Sequence, residues 1–167
     1  MQLQLSGTAN DSIVDGPGIR FTIFVQGCPH HCRGCQNPQT HPFEGGTLTD
    51  TDALAEQIRA NPLLDGVTFS GGEPFCQAAA LADLGEKVRE MGLNVITYTG
   101  YTFEELYARR EEDGIGALLA VTDHLVDGRF IEEQKSYQLH FRGSANQRVL
   151  DCRESLARGC AVETEFA

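Results

Sequence analysis

Gly66-Val-Thr-Phe-Ser-Gly-Gly-Glu-Pro74 sets a short apolar run directly before two glycines and a proline. A run of this length, bounded by turn residues, reads as a buried strand whose carboxyl end breaks into a loop. Helical spacing follows it: Leu81, Leu84 and Val88 recur over 78–91, and Gly92 ends the pattern. The same order repeats on both sides. Phe21 to Val25, Asn94 to Tyr98, Leu125 to Val126 and Tyr137 to Phe141 read as further strands. Thr49-Asp-Thr-Asp52 caps a helix carrying Leu54 and Ile58, and 103–110, 115–121 and 149–158 read as later helices. Strand then helix, repeated, means a parallel sheet. A full eight-unit barrel needs ~250 residues, and this chain has 167. The reading is therefore α/β, a partial (open) β/α barrel of about five to six parallel-strand units, in a single domain over 1–167.

Upstream, Gly27-Cys-Pro-His-His-Cys-Arg-Gly-Cys-Gln-Asn-Pro38 brings Cys28, Cys32 and Cys35 into one loop. A four-iron four-sulfur cluster normally takes four thiolates, so three leave one iron open to another ligand. Zinc is the rival, because Cys3His satisfies it and His30, His31 and His41 are close by. A thiol redox pair at Cys32-Arg-Gly-Cys35 has no use for Cys28. Gly71 and Gly72 at a strand end let backbone approach a ligand, although a lone Gly-Gly is also a plain turn signal. In parallel α/β architectures ligands gather at the carboxyl ends of strands, and both loops follow such ends.

Taken together, Cys-x-x-x-Cys-x-x-Cys and Gly71-Gly-Glu-Pro74 resemble the radical S-adenosylmethionine enzymes. Asp15-Gly-Pro-Gly-Ile-Arg20 and Asn37 resemble the subset that activates glycyl-radical enzymes. Gly34, Tyr98-Thr-Gly-Tyr101, Val126-Asp-Gly-Arg-Phe130 and Arg142-Gly-Ser-Ala-Asn-Gln147 are similar to the family that activates anaerobic ribonucleoside-triphosphate reductases. The resemblance runs from about Ile13 to Arg148. It implies one 4Fe-4S cluster on Cys28, Cys32 and Cys35, with S-adenosyl-L-methionine on the fourth iron. It also implies cofactor-binding roles for Gly34, Cys35 and Gln36 beside the adenosine. Gly71, Gly72 and Glu73 would hold the methionine amine, largely through backbone, with Ser70 and Pro74 in the same stretch. Reductive cleavage of the cofactor would yield a radical that takes hydrogen from a glycine of the partner, the anaerobic ribonucleotide reductase large subunit. No side chain is then needed as acid, base or nucleophile, because the cofactor carries the hard chemistry. His30 and His31 would shield the cluster or bond its sulfurs. Asp15 to Arg20 reads either as a turn, with Arg20 pairing Asp15, or as a lip of the site; Tyr98 and Tyr101 read as core or cofactor neighbours. No second set of clustered cysteines is present, so an external one-electron donor such as a flavodoxin is expected. Two alternatives remain: activation of another glycyl-radical enzyme or a small-molecule radical reaction, and a non-catalytic Cys3His zinc or iron-sulfur module.

Composition narrows the classes. An apolar content of 41% is ordinary for a globular protein. The triplet with scattered Cys76, Cys152 and Cys160 is no disulfide framework, and these three read as core or surface thiols. There is no apolar run long enough for a membrane span, and the start Met-Gln-Leu-Gln-Leu-Ser lacks the features of a secretion signal, so the expectation is a cytoplasmic protein without membrane. Residues 41–133 hold 18 acids against six bases, within a chain of net charge −11. Such a body argues against nucleic acid, which needs a basic face. Residues 134–150 carry Lys135, Arg142 and Arg148 and no acid; they read either as a carboxylate-meeting patch or as solvated surface charge.

Overall fold

The computed structural model describes residues 1–136 and 138–166. Among these described residues, seven strands form one sheet in the order β3-β1-β2-β4-β5-β6-β7. They span β1 Gln2–Ser12, β2 Arg20–Val25, β3 Thr47–Asp50, β4 Gly66–Gly71, β5 Asn94–Tyr98, β6 His124–Asp127 and β7 Arg148–Asp151. The centre, β2-β4-β5-β6, is parallel, while β1, β3 and β7 add antiparallel strands at its flanks. The sheet thus has four parallel strands rather than five or six. Residues 138–141 are an irregular loop, with Phe141 at φ 57°, and Tyr137 lies outside the described residues. The missing strand is instead β7, the first part of the segment read as a helix over 149–158.

The helices are α1 Thr51–Arg59, α2 Ala78–Glu90, α3 Phe103–Ala108, α4 Ile115–Val121 and α5 Cys152–Arg158. The parallel strands run across the sheet in chain order without reversal. Right-handed crossovers then put every connecting helix on the same face. Strand alternation agrees. Phe21, Ile23, Val67, Phe69, Val95 and Leu125 face the main core with Leu54, Leu81, Leu84 and Leu118 of the helices. Ile96, Val126 and Val149 form a separate small cluster with Tyr98 and Phe166 on the other face. That second face also carries the polar Arg20, Thr22 and Thr68, all buried.

Local chemistry starts each helix. Asp50 caps α1 by accepting from the Asp52 amide at 2.8 Å, and Asp151 caps α5 through the Glu154 amide at 2.9 Å. Thr102 and Glu105 form a reciprocal capping box on α3. Losing one such cap costs about 1 kcal/mol, so Thr102→Ala will lower the thermal midpoint by about 2–4 °C, measured by circular dichroism. None of the described helices is long and apolar enough to cross a membrane.

Candidate active site

Four loops leave the carboxyl ends of β2, β4, β5 and β6 and meet. The first, residues 26–41, is closed like a clasp: the Gly27 amide donates to Thr40 O at 2.7 Å and the Cys28 amide to His41 O at 3.0 Å. Within it Cys35 N donates to Cys32 O at 3.2 Å, and the Asn37 amide points at the Cys35 Sγ at 3.4 Å. The second loop locks onto the first through Gly72 N to Val25 O and Glu73 N to Gly27 O, both 2.8 Å. Glycine is required at both positions of that turn. Gly71 sits at φ 96°, and a Cβ there would strike the β2 backbone; one on Gly72 would collide with the Gly27 carbonyl.

Cys28, Cys32, Cys35, Ser70, Gly71 and Gly72 together line a cavity of about 110 Å³. It shares Cys35, Ser70, Tyr98, Phe130 and Gln147 with a larger one of about 600 Å³, which Gln36 and Asn37 also line. That volume lies within the range of small-molecule sites. Three of the sequence-expected residues lie elsewhere. Gly34 abuts Glu132, while Glu73 and Pro74 are buried and line neither cavity. Conversely, Thr99, Gly100 and Gly128 line the small cavity. Their place just beyond the carboxyl ends of β5 and β6 is the signal that could have found them. Cys76, Cys152 and Cys160 line neither cavity; Cys152 is buried, its thiol donating to Leu119 O at 3.3 Å and pushed up by burial to about 12.

The donor set fits an iron-sulfur cluster. Cys28, Cys32 and Cys35 line one cavity and an amide is aimed at one sulfur, so residue type and spacing suit a cluster held by three thiolates; among the described residues, no three donors already stand close enough together to grip a metal ion. His30 is not available as a fourth ligand, since Nε2 bonds Glu73 Oε1 at 2.7 Å and Nδ1 accepts from Arg129 Nε at 3.4 Å. His31 and His41 pack edge to face at 5.3 Å.

Asp15 to Arg20 divides in two. Asp15 lines the large cavity beside Ile13 and Val14, which are 69% and 76% exposed. Arg20 is 0% exposed and does not pair with Asp15. Its guanidinium donates to Thr68 Oγ1 (2.7 Å), Pro17 O (3.1 Å), Val67 O (2.9 Å) and Asn94 Oδ1 (2.7 Å). Asp15 instead accepts from Ser12 and Thr22 hydroxyls. Burial lowers the Arg20 pKa to about 10. Tyr98 donates to Phe141 O at 2.7 Å, tying the 138–142 loop over the cavity, and burial raises its phenol pKa. In the basic stretch, Arg148 is held internally by Asp127 at 3.0 Å and by Glu104 at 2.7 Å.

Residues 14–150 match the family model of a 4Fe-4S single cluster domain. An iron-sulfur domain of that class answers the zinc alternative. An anaerobic ribonucleoside-triphosphate reductase-activating protein of Haemophilus influenzae is 37% identical over 147 residues, which cover 82% of this chain and 90% of that protein. One from Vibrio cholerae is 38% identical over 145 residues with the same coverage. A pyruvate formate-lyase-activating enzyme of Clostridium pasteurianum is 41% identical over 97 residues, 54% of this chain and 41% of that enzyme. The chain belongs to the family of anaerobic ribonucleoside-triphosphate reductase-activating proteins.

Proposed function

We propose that this chain is a radical S-adenosylmethionine enzyme that installs a glycyl radical on the large subunit of an anaerobic ribonucleotide reductase. The observation that carries the reading is the convergence of three thiols and the Gly71-Gly72 turn on one small cavity that opens into a larger one. Cys28, Cys32 and Cys35 would hold three irons of a single 4Fe-4S cluster, leaving the fourth to S-adenosyl-L-methionine. When bound, the reduced cluster and that cofactor supply the electron and the carbon-centred radical. The protein's part is placement and exclusion of water. Gly71 and Gly72 would meet the amino-acid end with Ser70 beside them, and Cys35 and Gln36 would run beside the nucleoside; Gly34, Glu73 and Pro74, outside both cavities, would support those stretches from behind. Phe130, Leu139 and Phe141 give the larger cavity an apolar part, beside polar lining residues such as Gln36, Asn37 and Gln147. The sheet acts as an open, partial barrel within one domain, its chain-order parallel strands and one-sided helices being what such a barrel needs. A cytoplasmic setting and a flavodoxin-like donor complete the proposal.

Protein reconstituted anaerobically with iron and sulfide, reduced with dithionite and given S-adenosyl-L-methionine will release 5′-deoxyadenosine. With a reductase large subunit present, a glycine-centred radical will appear by electron paramagnetic resonance. A verified four-iron cluster that yields neither product sinks the reading; 5′-deoxyadenosine without the radical would shift the partner to another glycyl-radical protein.

A further inference from the structure

We propose that Glu73 and His30 are positioning residues that, with Arg129, lock the cluster loop to the three neighbouring strand ends, and that the Glu73 carboxylate does not touch the cofactor. The inference rests on the function proposed above. Glu73 is 0% exposed, and the protein consumes its acceptor capacity. Oε1 accepts from His30 Nε2 at 2.7 Å and from the Gly100 amide at 2.8 Å. Oε2 accepts from the Phe75 amide at 3.0 Å, and the Thr99 hydroxyl lies 2.9 Å from both oxygens. A carboxylate offers about four lone-pair sites, so none is left for a ligand's amine.

The direction of the relay follows from elementary donor rules. An arginine nitrogen only donates, so His30 Nδ1 is the acceptor at 3.4 Å and Nε2 carries the hydrogen given to Glu73. The imidazole is also gripped sterically, with its edge against Tyr101 at 4.5 Å and its face where any Cβ on Gly100 would have to be. His30 lies between Cys28 and Cys32 in the chain. Fixing it fixes the spacing of those two thiols. The relay therefore joins the loop after β2 (His30), after β4 (Glu73), after β5 (Thr99, Gly100) and after β6 (Arg129). A partner bonded directly to a metal ligand is worth about 10–100-fold in metal affinity; this relay acts through the loop between two ligands, so the low end of that range, about tenfold, is expected.

The test compares His30→Leu, His30→Gln, Glu73→Gln and Arg129→Met in full-length protein reconstituted with iron and sulfide. Three quantities are read: iron per chain, the rate of iron loss to a chelator, and the paramagnetic spectrum of the reduced cluster before and after S-adenosyl-L-methionine. His30→Leu, which removes both bonds, is expected to lose iron about tenfold faster and to blunt the cofactor-induced spectral change. His30→Gln, which keeps a donor toward Glu73, restores most of both. Glu73→Gln is expected to lose iron faster still, and adding His30→Leu to it changes little further, because both act on one path. Wild-type retention and spectrum in His30→Leu overturn the proposal, as does failure of His30→Gln to improve on it. If His30→Leu does not fold, Arg129→Met at the exposed end decides, with faster iron loss supporting and unchanged loss refuting. A wild-type cluster whose spectrum ignores S-adenosyl-L-methionine counts instead against the proposed function, whatever the variants do.

Discussion

Cys32→Ala will fold as the parent does and produce no detectable 5′-deoxyadenosine. Cys32 is half-buried, and its backbone carbonyl, which holds the turn with Cys35 N at 3.2 Å, survives the substitution. Removing one partly exposed sulfur should move stability by less than about 1 kcal/mol. Two remaining thiols cannot keep a cubane whose open iron is the place of reaction. The expected pair of results is a native circular-dichroism spectrum and thermal midpoint for the metal-free protein, beside loss of cluster absorbance and product. Structural zinc supplies folding free energy outright. Collapse of the fold in Cys32→Ala would therefore mark the thiols as structural ligands and refute the catalytic assignment.

Arg20→Met is the second large effect, and it falls on stability. Arg20 spans three strands from the amino end of β2, reaching Thr68 and Val67 on β4 and Asn94 on β5, and it also holds Pro17 in the preceding loop. Methionine fills the volume but leaves those buried acceptors without a donor, each costing about 1–3 kcal/mol when unmet, less where water enters. A net loss of about 3 kcal/mol is expected, which for a chain of this size lowers the thermal midpoint by about 6–12 °C. Arg20→Lys will not rescue it, since a single ammonium cannot reproduce the planar fork. A midpoint within about 2 °C of the parent would show that the clamp is dispensable.

Elements that bury one face or both were legible in the sequence. β5 and α4 fall where the apolar runs and helical spacing put them, and β2, β4 and α2 differ by a residue or two at their ends. The edge strands were not. β1 alternates only over Gln2–Ser6, burying Leu3 and Leu5 of its eleven residues, and β3 buries nothing, so the periodic signal was too short to mark either strand. β7 was hidden differently. Val149 and Leu150 with Cys152 and Leu156 have helical spacing, and only the Asp151 cap separates a four-residue strand from α5. Apolar content misled at 138–141, where Leu139 and Phe141 line a cavity rather than a sheet. In the site, the cysteines and the glycine turn are contiguous motifs and could be read directly. The hydrogen bonds of Glu73, Arg20 and Arg148 could not, because apart from Phe75 and Pro17 the partners named for them lie between 21 and 74 residues away, in long-range pairings that no local pattern encodes.

The separation between His30 and Arg129 has a consequence for how the site comes into being. The three thiols are all present once residue 35 has been synthesised, yet the last member of the relay is 99 positions beyond His30. At about 5–20 residues per second, a nascent chain would carry its cysteines for roughly 5–20 s before Arg129 is made. Parallel pairing of β2, β4, β5 and β6 is also non-local and slow compared with helix formation. The cysteine loop is thus complete as chemistry long before it is complete as a shape, and productive metal loading belongs after synthesis, when the finished sheet has gathered its four loops.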